Sequence, residues 1–256
     1  MSLIDSHETT LERLRNVTAA AKWQAPPYAI PPRAIPPYAI PQYRRRLFLP
    51  APVAADWRVV VKRSMDIVAS LLILVTQMPL LLLAAIAIKL DSRGPVLFRQ
   101  QRIGLHGRPF ELLKLRTMHV HPSDSGRLLQ TCPRDPRVTR VGALLRRTSL
   151  DELPQLWQVL RGEMSLVGPR PHAPGTCAGA TPFEQVSERY PQRHRVRPGM
   201  TGLAQVRGWR GQTDTEEKLL RRLDSDLEYI ATWSLWLDCI ILARTVATVL
   251  RMRNAY

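Results

Sequence analysis

The chain has 256 residues, 45% of them apolar, which is enough to bury a core and excludes wholesale disorder. Its 37 Lys and Arg against 21 Asp and Glu leave a formal net charge of +16, so polyanions are its natural partners: nucleic acid, anionic lipid headgroups or phosphorylated substrates. Cys132, Cys177 and Cys239 are odd in number and include no close pair of the kind that makes metal sites or redox dithiols, which fits a reducing, cytosol-facing location.

Acidic and basic residues (Asp5, Glu8, Glu12, Arg13, Arg15) interrupt the opening stretch, so a signal peptide is not expected. Between Pro26 and Gln42 the sequence repeats with period five, as PPYAI, PPRAI, PPYAI and PQYRR. Prolines at that density leave no helix or sheet ladder and predict polyproline II or solvated coil. The stretch reads as a semi-rigid spacer, with a docking segment for an aromatic-lined groove as the alternative. Residues 1–56 are accordingly predicted to be a disordered, proline-rich extension.

From Ile67 to Ile88 the chain runs 22 residues without a charge. As one straight helix that is about 33 Å, enough to cross a bilayer. Two details argue against a simple crossing. Pro79 divides the run into halves of roughly 18 and 15 Å, each too short to reach the far leaflet. Basic residues flank both ends (Arg58, Lys62 and Arg63; Lys89, Arg93 and Arg99), and the positive-inside preference would hold both flanks in the cytoplasm. A helix bent at Pro79 that re-enters the leaflet it came from satisfies all of this, with Thr76 or Gln77 serving carbonyls freed at the bend. A buried core helix and a kinked single span are the competing readings of this segment.

Pro95 to Met118 predicts a β-hairpin around the turn LHGR and carries Arg99, Arg102, Lys114 and Arg116; the last two, spaced by two, would share a strand face suited to anions. Next, Asp135 to Pro171 packs basic, acidic and Gly-Pro signals together. Ser149 with Glu152 forms a capping-box pattern that would set Asp151 and Glu152 in the first turn of a helix; Pro154 allows instead that the helix starts there and leaves both acids in the preceding loop. In either case two adjacent carboxylates sit near a helix N-terminus, with Arg146, Arg147 and Arg170 close in sequence. An isolated acidic pair usually only caps a helix. Paired acids among arginines suggest a metal-bridged phosphate ester: one carboxylate holds a hard cation and the other attacks phosphorus.

Toward the C-terminus, Leu219 to Leu250 predicts helix, with Trp233, Trp236, Leu237, Ile240 and Ile241 on one side. Asp238 and Arg244 make a second full span improbable and favour an interfacial helix. Cys239 reads as a small apolar filler, and His119, His121 and His172 as surface or structural residues.

Lys62 to Asp66 (KRSMD), GPVLFRQQRIG, FELLKLRTM, SLDELPQLWQVLRGEMSLVGPRP and RPGMTGLAQVRG together resemble, in order and spacing, the bacterial sugar transferases, the monotopic polyprenyl-phosphate phosphoglycosyl transferases. The resemblance runs from about Trp57 to the C-terminus. It implies an α+β, mostly helical fold: a re-entrant membrane helix over 57–92, and a cytoplasmic catalytic domain over 93–256 with a small β-hairpin and interfacial amphipathic helices. It implies transfer of a sugar 1-phosphate from a UDP-sugar to undecaprenyl or another polyprenyl phosphate with release of UMP, which initiates an exopolysaccharide or surface glycan. Asp151 matches the family nucleophile and Glu152 its magnesium-holding partner. Arg146, Arg170 and Arg197, and then Lys114 and Arg116, match phosphate-holding positions, and Pro79 the membrane bend. The cofactor implied is Mg2+. The implied partners are membrane lipid, a second copy of the chain and downstream glycosyltransferases, with no nucleic acid; the implied location is the cytoplasmic face of the inner membrane. Two positions depart from the family pattern: Met78 stands where Ser often precedes the bend proline, and Glu163 stands where Asp is common.

Overall fold

The computed structural model describes residues 56–120, 135–209 and 211–250. The proline repeat, all but the last residue of the predicted extension, His121 and Cys132 lie outside them. Over the described residues the fold is mostly helical, with a small antiparallel hairpin, a second hairpin of two residues per strand, and one long apolar helix.

That helix, α1 (Trp57–Asp91), is 35 residues long, with Asp56 as its N-cap and Pro79 inside it. Asp66, Ser70, Ala84 and Ile88 are buried, and Ala69, Ile73, Leu74 and Leu81 pack on the cores. These positions recur every three or four residues and so form one stripe. The other side is bare and apolar: Val68, Leu71, Leu72, Val75, Leu82, Leu83 and Ile86 are all exposed. A continuous apolar face of that length suits lipid rather than water. Both ends of α1 are hydrogen-bonded to the rest of the molecule. Near its start, Lys62 reaches Asp238 (2.7 Å), Arg63 donates to the carbonyls of Val159 (2.6 Å) and Leu160 (2.8 Å), and Asp66 accepts from the Leu166 amide (3.1 Å). At its end, Asp91 accepts from the Val141 amide (3.1 Å), and Arg116 donates to the carbonyls of Arg93 (2.7 Å), Ser92 (2.7 Å) and Ile88 (3.3 Å). At the proline, Thr76 donates to the carbonyls of Leu72 and Ile73, so its hydroxyl bonds within the preceding turn.

The buried Arg116 guanidinium thus caps the carbonyl end of α1, where a cation also meets the negative end of the helix dipole. Arg116→Met should take this donor from the Arg93 and Ser92 carbonyls, while the Ile88 carbonyl keeps the Ser92 amide, and cost about 2–3 kcal/mol. The check is a lower thermal midpoint in detergent, partly recovered in Arg116→Lys; an unchanged midpoint in Arg116→Met would remove the cap's importance.

The hairpin forms as expected, β1 (Leu97–Ile103) against β2 (Pro109–Leu115), with Phe98 opposite Lys114 and Arg102 opposite Phe110. Its turn places His106 and Gly107 at positive φ. Then follow α2 (Arg140–Thr148), a 3-10 turn (Leu150–Glu152), α3 (Gln155–Arg161) and β3 (Ser165–Val167). A two-residue hairpin, β4 (Cys177–Ala178) and β5 (Thr181–Pro182), leads into α4 (Phe183–Val186) and a 3-10 turn (Tyr190–Arg195). Last come β6 (Gly199–Thr201), which pairs in parallel with β3, and the helices α5 (Leu203–Val206), α6 (Glu216–Thr232) and α7 (Leu235–Leu250). The main core gathers Leu112, Leu156, Val159, Met164, Leu203, Tyr229 and Ile241, drawn from β2, α3, α5, α6 and α7 and the link into β3.

The C-terminal reading needs correction. Trp233 ends α6, and its indole donates to Asp238 (3.1 Å), while Trp236 is exposed and Ile241 wholly buried, so the five residues do not share a side. Asp238 is buried because Lys62, Tyr229 and Trp233 all donate to it. Cys239 is exposed rather than a core filler.

Candidate active site

Ser149 does not close a capping box. It sits in the left-handed region (φ 59°) as the C-cap of α2, and its amide bonds to the Arg146 and Leu145 carbonyls. The chain then makes one 3-10 turn over Leu150–Glu152 before α3, so both acids lie in the connection that the Pro154 alternative anticipates. That connection is fixed from both sides. Gly142 in α2 lies so close to the Thr117 carbonyl that a Cβ would stand 2.1 Å from its oxygen, which brings the end of β2 against α2. On the other side, Gly199 of β6 meets the loop after β3: a Cβ there would stand 2.1 Å from the Gly168 amide nitrogen. The strings GPRP and RPGMTG can therefore pack backbone on backbone, and this presents Arg170 to the acids.

Glu152 is the hub. Lys114 from β2 donates to its Oε1 (2.8 Å), and the Arg170 guanidinium grips both oxygens, with Nη1 3.3 Å from Oε2 and Nη2 on Oε1. Burial pushes the Glu152 carboxyl upward, but Arg170 and then Lys114 more than offset it and hold it well below the ordinary range. Asp151, next to it and 8% exposed, behaves oppositely: burial first and the Glu152 charge second push it up to about 6, against the pull of Lys114, Arg146 and Arg170. Two adjacent acids are thus driven apart, one held as the more acidic carboxylate and one kept more basic yet still mainly ionised at neutral pH. A more basic carboxylate is the better nucleophile. Arg146 is steadied by its Nε on the Thr117 hydroxyl (2.8 Å), and among the charges acting on it Asp151 is the foremost.

Of the residues singled out from sequence, Asp151, Glu152, Lys114, Arg146 and Arg170 come together. Arg116 and Arg197 are engaged elsewhere: Arg116 caps α1, and Arg197 donates through Nε to the Gly162 carbonyl (2.9 Å) at the end of α3. Pro79 lies on the exposed part of α1. Glu163 pairs with Arg161 at 3.6 Å. Sequence reasoning passes over buried Arg193, Arg222 and Asp226, which with the half-buried Arg102 of the hairpin and the buried His172 form a set behind Arg170; no local pattern unites these residues, which come from four separate stretches of chain.

Among the described residues no group of three or more His, Cys, Asp or Glu gathers for a metal. Magnesium needs less, since it commonly takes one or two carboxylates and completes its shell with water and substrate phosphate. A carboxylate offers about four lone pairs, and Glu152 accepts three donors, the weakest of them at Oε2. With the Asp151 oxygens adjacent, the donor set fits a hard cation.

The family model described as bacterial sugar transferase matches residues 57–252. A Caulobacter vibrioides UDP-glucose:undecaprenyl-phosphate glucose-1-phosphate transferase is 54% identical over 81% of the chain and 75% of its own length. A Komagataeibacter xylinus undecaprenyl-phosphate glucose phosphotransferase is 52% identical over 79% of the chain, which spans only 38% of that relative. An exopolysaccharide production protein from Rhizobium leguminosarum is 49% identical over 75% of the chain and 96% of its own length.

Proposed function

The chain belongs to the bacterial sugar transferase family, and on that premise we propose that it transfers a sugar 1-phosphate from a UDP-sugar to undecaprenyl or another polyprenyl phosphate, the first step of exopolysaccharide or surface glycan synthesis. The observation that carries the reading is the opposed pair: a more basic, buried Asp151 beside a Glu152 pinned by Lys114 and Arg170. An Asp151 carboxylate oxygen attacks the phosphorus bearing the sugar, the bond from that phosphorus to the bridging oxygen breaks, and UMP leaves with that oxygen. A polyprenyl phosphate oxygen then attacks the same phosphorus and displaces the Asp151 carboxylate, which returns free. Lys114, Arg146 and Arg170 hold phosphate oxygens through both steps, the arginines through their forked donors. Glu152, with Asp151 beside it, would hold Mg2+, whose contribution when bound is to offset charge on the diphosphate and on the leaving UMP.

Helix α1, with residues 57–92, anchors the enzyme in the inner membrane and keeps residues 93–256 at the cytoplasmic face as the catalytic domain, with α7 and the exposed Trp236 in the headgroup zone. Re-entry at Pro79 is supported by the hydrogen bonds that tie both ends of α1 to one body, since a helix held so cannot put its ends on opposite sides of a bilayer. In a cysteine-free background, Arg58→Cys and Lys89→Cys should both resist an impermeant thiol reagent added from the periplasmic side. Labelling of one and not the other would mean a span.

The Caulobacter vibrioides relative, named for UDP-glucose, makes it the first donor to assay. Membranes given UDP-glucose and undecaprenyl phosphate should release UMP and form a lipid-linked product only when the chain is present. Release that does not need the lipid acceptor at multiple turnovers would refute the reading.

A further inference from the structure

The segment that presents Arg170 is held through three successive carbonyls. Arg193 donates through Nη2 to the Arg170 carbonyl (2.7 Å), Arg102 to that of Pro171 (3.2 Å), and the Ile103 amide to that of His172 (3.1 Å). Arg193 is itself seated on Asp226, through Nε (3.2 Å) and Nη2 (2.7 Å) to one carboxylate oxygen. The remaining nitrogen of its fork, Nη1, faces His172 Nδ1 at 2.6 Å, with the Tyr190 hydroxyl 2.9 Å from the same ring nitrogen. On the other edge of the ring, Arg222 Nη1 lies 3.2 Å from Nε2, while its Nη2 holds the carbonyls of Trp209 (2.5 Å) and Gly211 (2.8 Å). His172, Arg193, Arg222 and Asp226 are all buried.

Two buried guanidinium groups stand near a single carboxylate here, and only Arg193 pairs with it, a costly arrangement that an apolar packing would avoid. The imidazole makes it tolerable. A neutral ring has one acceptor nitrogen and carries no added charge, and burial, with Arg193 next, holds its pKa well below the ordinary value, so it does not become a third cation. The closer contact, 2.6 Å against 3.2 Å, assigns the acceptor to Nδ1. Asp226 on one edge and His172 Nδ1 at Nη1, the latter closer than the Tyr190 hydroxyl at 3.2 Å, together fix the planar Arg193 fork with Nη2 toward the Arg170 carbonyl.

We propose that His172 is a positioning residue for phosphoryl transfer: by accepting from Arg193 at Nδ1 it orients the Arg193 fork on the Arg170 main chain, and so sets the Arg170 guanidinium where the reacting phosphate passes. The inference rests on the transfer reading given above. Arg170 already grips Glu152 without substrate, so a slipped main chain weakens alignment as charge develops more than it weakens substrate binding. The loss therefore belongs in kcat.

The test compares His172→Phe, which fills the space without an acceptor, His172→Asn, whose Oδ1 stands near the place of Nδ1, and His172→Gln, whose Oε1 stands near that of Nε2. UMP release is followed against UDP-glucose concentration, with thermal midpoints measured on the same full-length preparations. A misplacement of about 1 Å can cost on the order of 100-fold, so His172→Phe and His172→Gln should lose roughly 30- to 100-fold in kcat with KM within about twofold of wild type. His172→Asn should return to within about threefold of the wild-type kcat. Equal Asn and Gln variants, rescue by Gln alone, or a loss confined to KM overturns the inference. Should His172→Phe not fold, the Asn and Gln pair decides by the same criteria. A wild-type chain that releases no UMP overturns the transfer reading and this inference with it, whereas an active wild type with indistinguishable Asn and Gln variants overturns the inference alone.

Discussion

Asp151→Asn should abolish UMP release, by about a thousandfold or more, while the thermal midpoint at pH 7.5 stays level or rises. The kinetic half follows from the chemistry: a neutral amide oxygen is a poor nucleophile toward phosphorus, and no other described carboxylate stands free beside Lys114, Arg146 and Arg170. The stability half follows from the shift in the wild-type residue. Folding raises Asp151 from 3.8 to about 6, so the folded state resists its ionisation. The cost begins above pH 3.8, grows until about pH 6 and stays constant beyond, and the amide removes it without changing the volume of the side chain. Activity and stability should therefore move in opposite directions, as they do where a site keeps a group at some expense to the fold. Intact mass spectrometry on quenched turnover mixtures adds a direct reading: the wild-type chain should gain the mass of a glycosyl phosphate and the variant should not. A variant that turns over normally, or an adduct that persists in it, would show that the nucleophile is elsewhere.

How much of this site the sequence discloses depends on how local each piece is. The hairpin follows from alternation around LHGR, and the acids from their place between α2 and α3, because neighbours in sequence determine both. The spacing of Lys114 and Arg116 misleads in one respect. The ladder ends at Leu115, and Arg116 turns to the end of α1 while Lys114 goes to Glu152, so two residues that alternation puts on one face serve different elements. Ser149 misleads in another: a serine three residues before a glutamate fits a capping box, yet the same serine is needed in the left-handed region to stop α2, and one backbone conformation cannot serve both. His172, read from sequence only as a surface or structural residue, is buried, and its partners are what the sequence conceals most. Its sequence neighbours, Pro171 and Ala173, announce nothing, and its chemistry arises only when the turn at 190–195 and α6 bring Arg193, Arg222 and Asp226 against it. Helix α1 lies between these cases. Its apolar run and its proline are plain in the sequence, but the hydrogen bonds that return both its ends to one body join residues as far apart as Lys62 and Asp238.

Glu152→Gln should do the reverse of Asp151→Asn on stability, and the contrast separates the two acids. Glutamine keeps the shape but leaves Lys114 and Arg170 without their carboxylate, two cations that Glu152 holds together in a mainly buried setting. Removing one partner from such a cluster costs more than the cluster contributes, because the charges left behind are desolvated and repel; with the side chains still about a fifth exposed, a loss of about 1–3 kcal/mol is expected. The sign with pH is fixed. Glu152 is held below its unfolded value of 4.5, so its stabilisation is complete above that pH and is lost as pH falls through the lower folded value. The gap in thermal midpoint between wild type and Glu152→Gln should thus be full at pH 7 and close as the pH is lowered below 4.5. Turnover should fall about 100-fold, since Lys114 and Arg170 lose the anion that aims them at phosphate. If Glu152 holds the magnesium ion, half-maximal activity should also require roughly tenfold more Mg2+. A midpoint gap without any change in the magnesium titration would keep Glu152 as the clamp on Lys114 and Arg170 and move the metal to Asp151 and the substrate phosphates. With neither effect present, the charged hub would have no part in the enzyme's work.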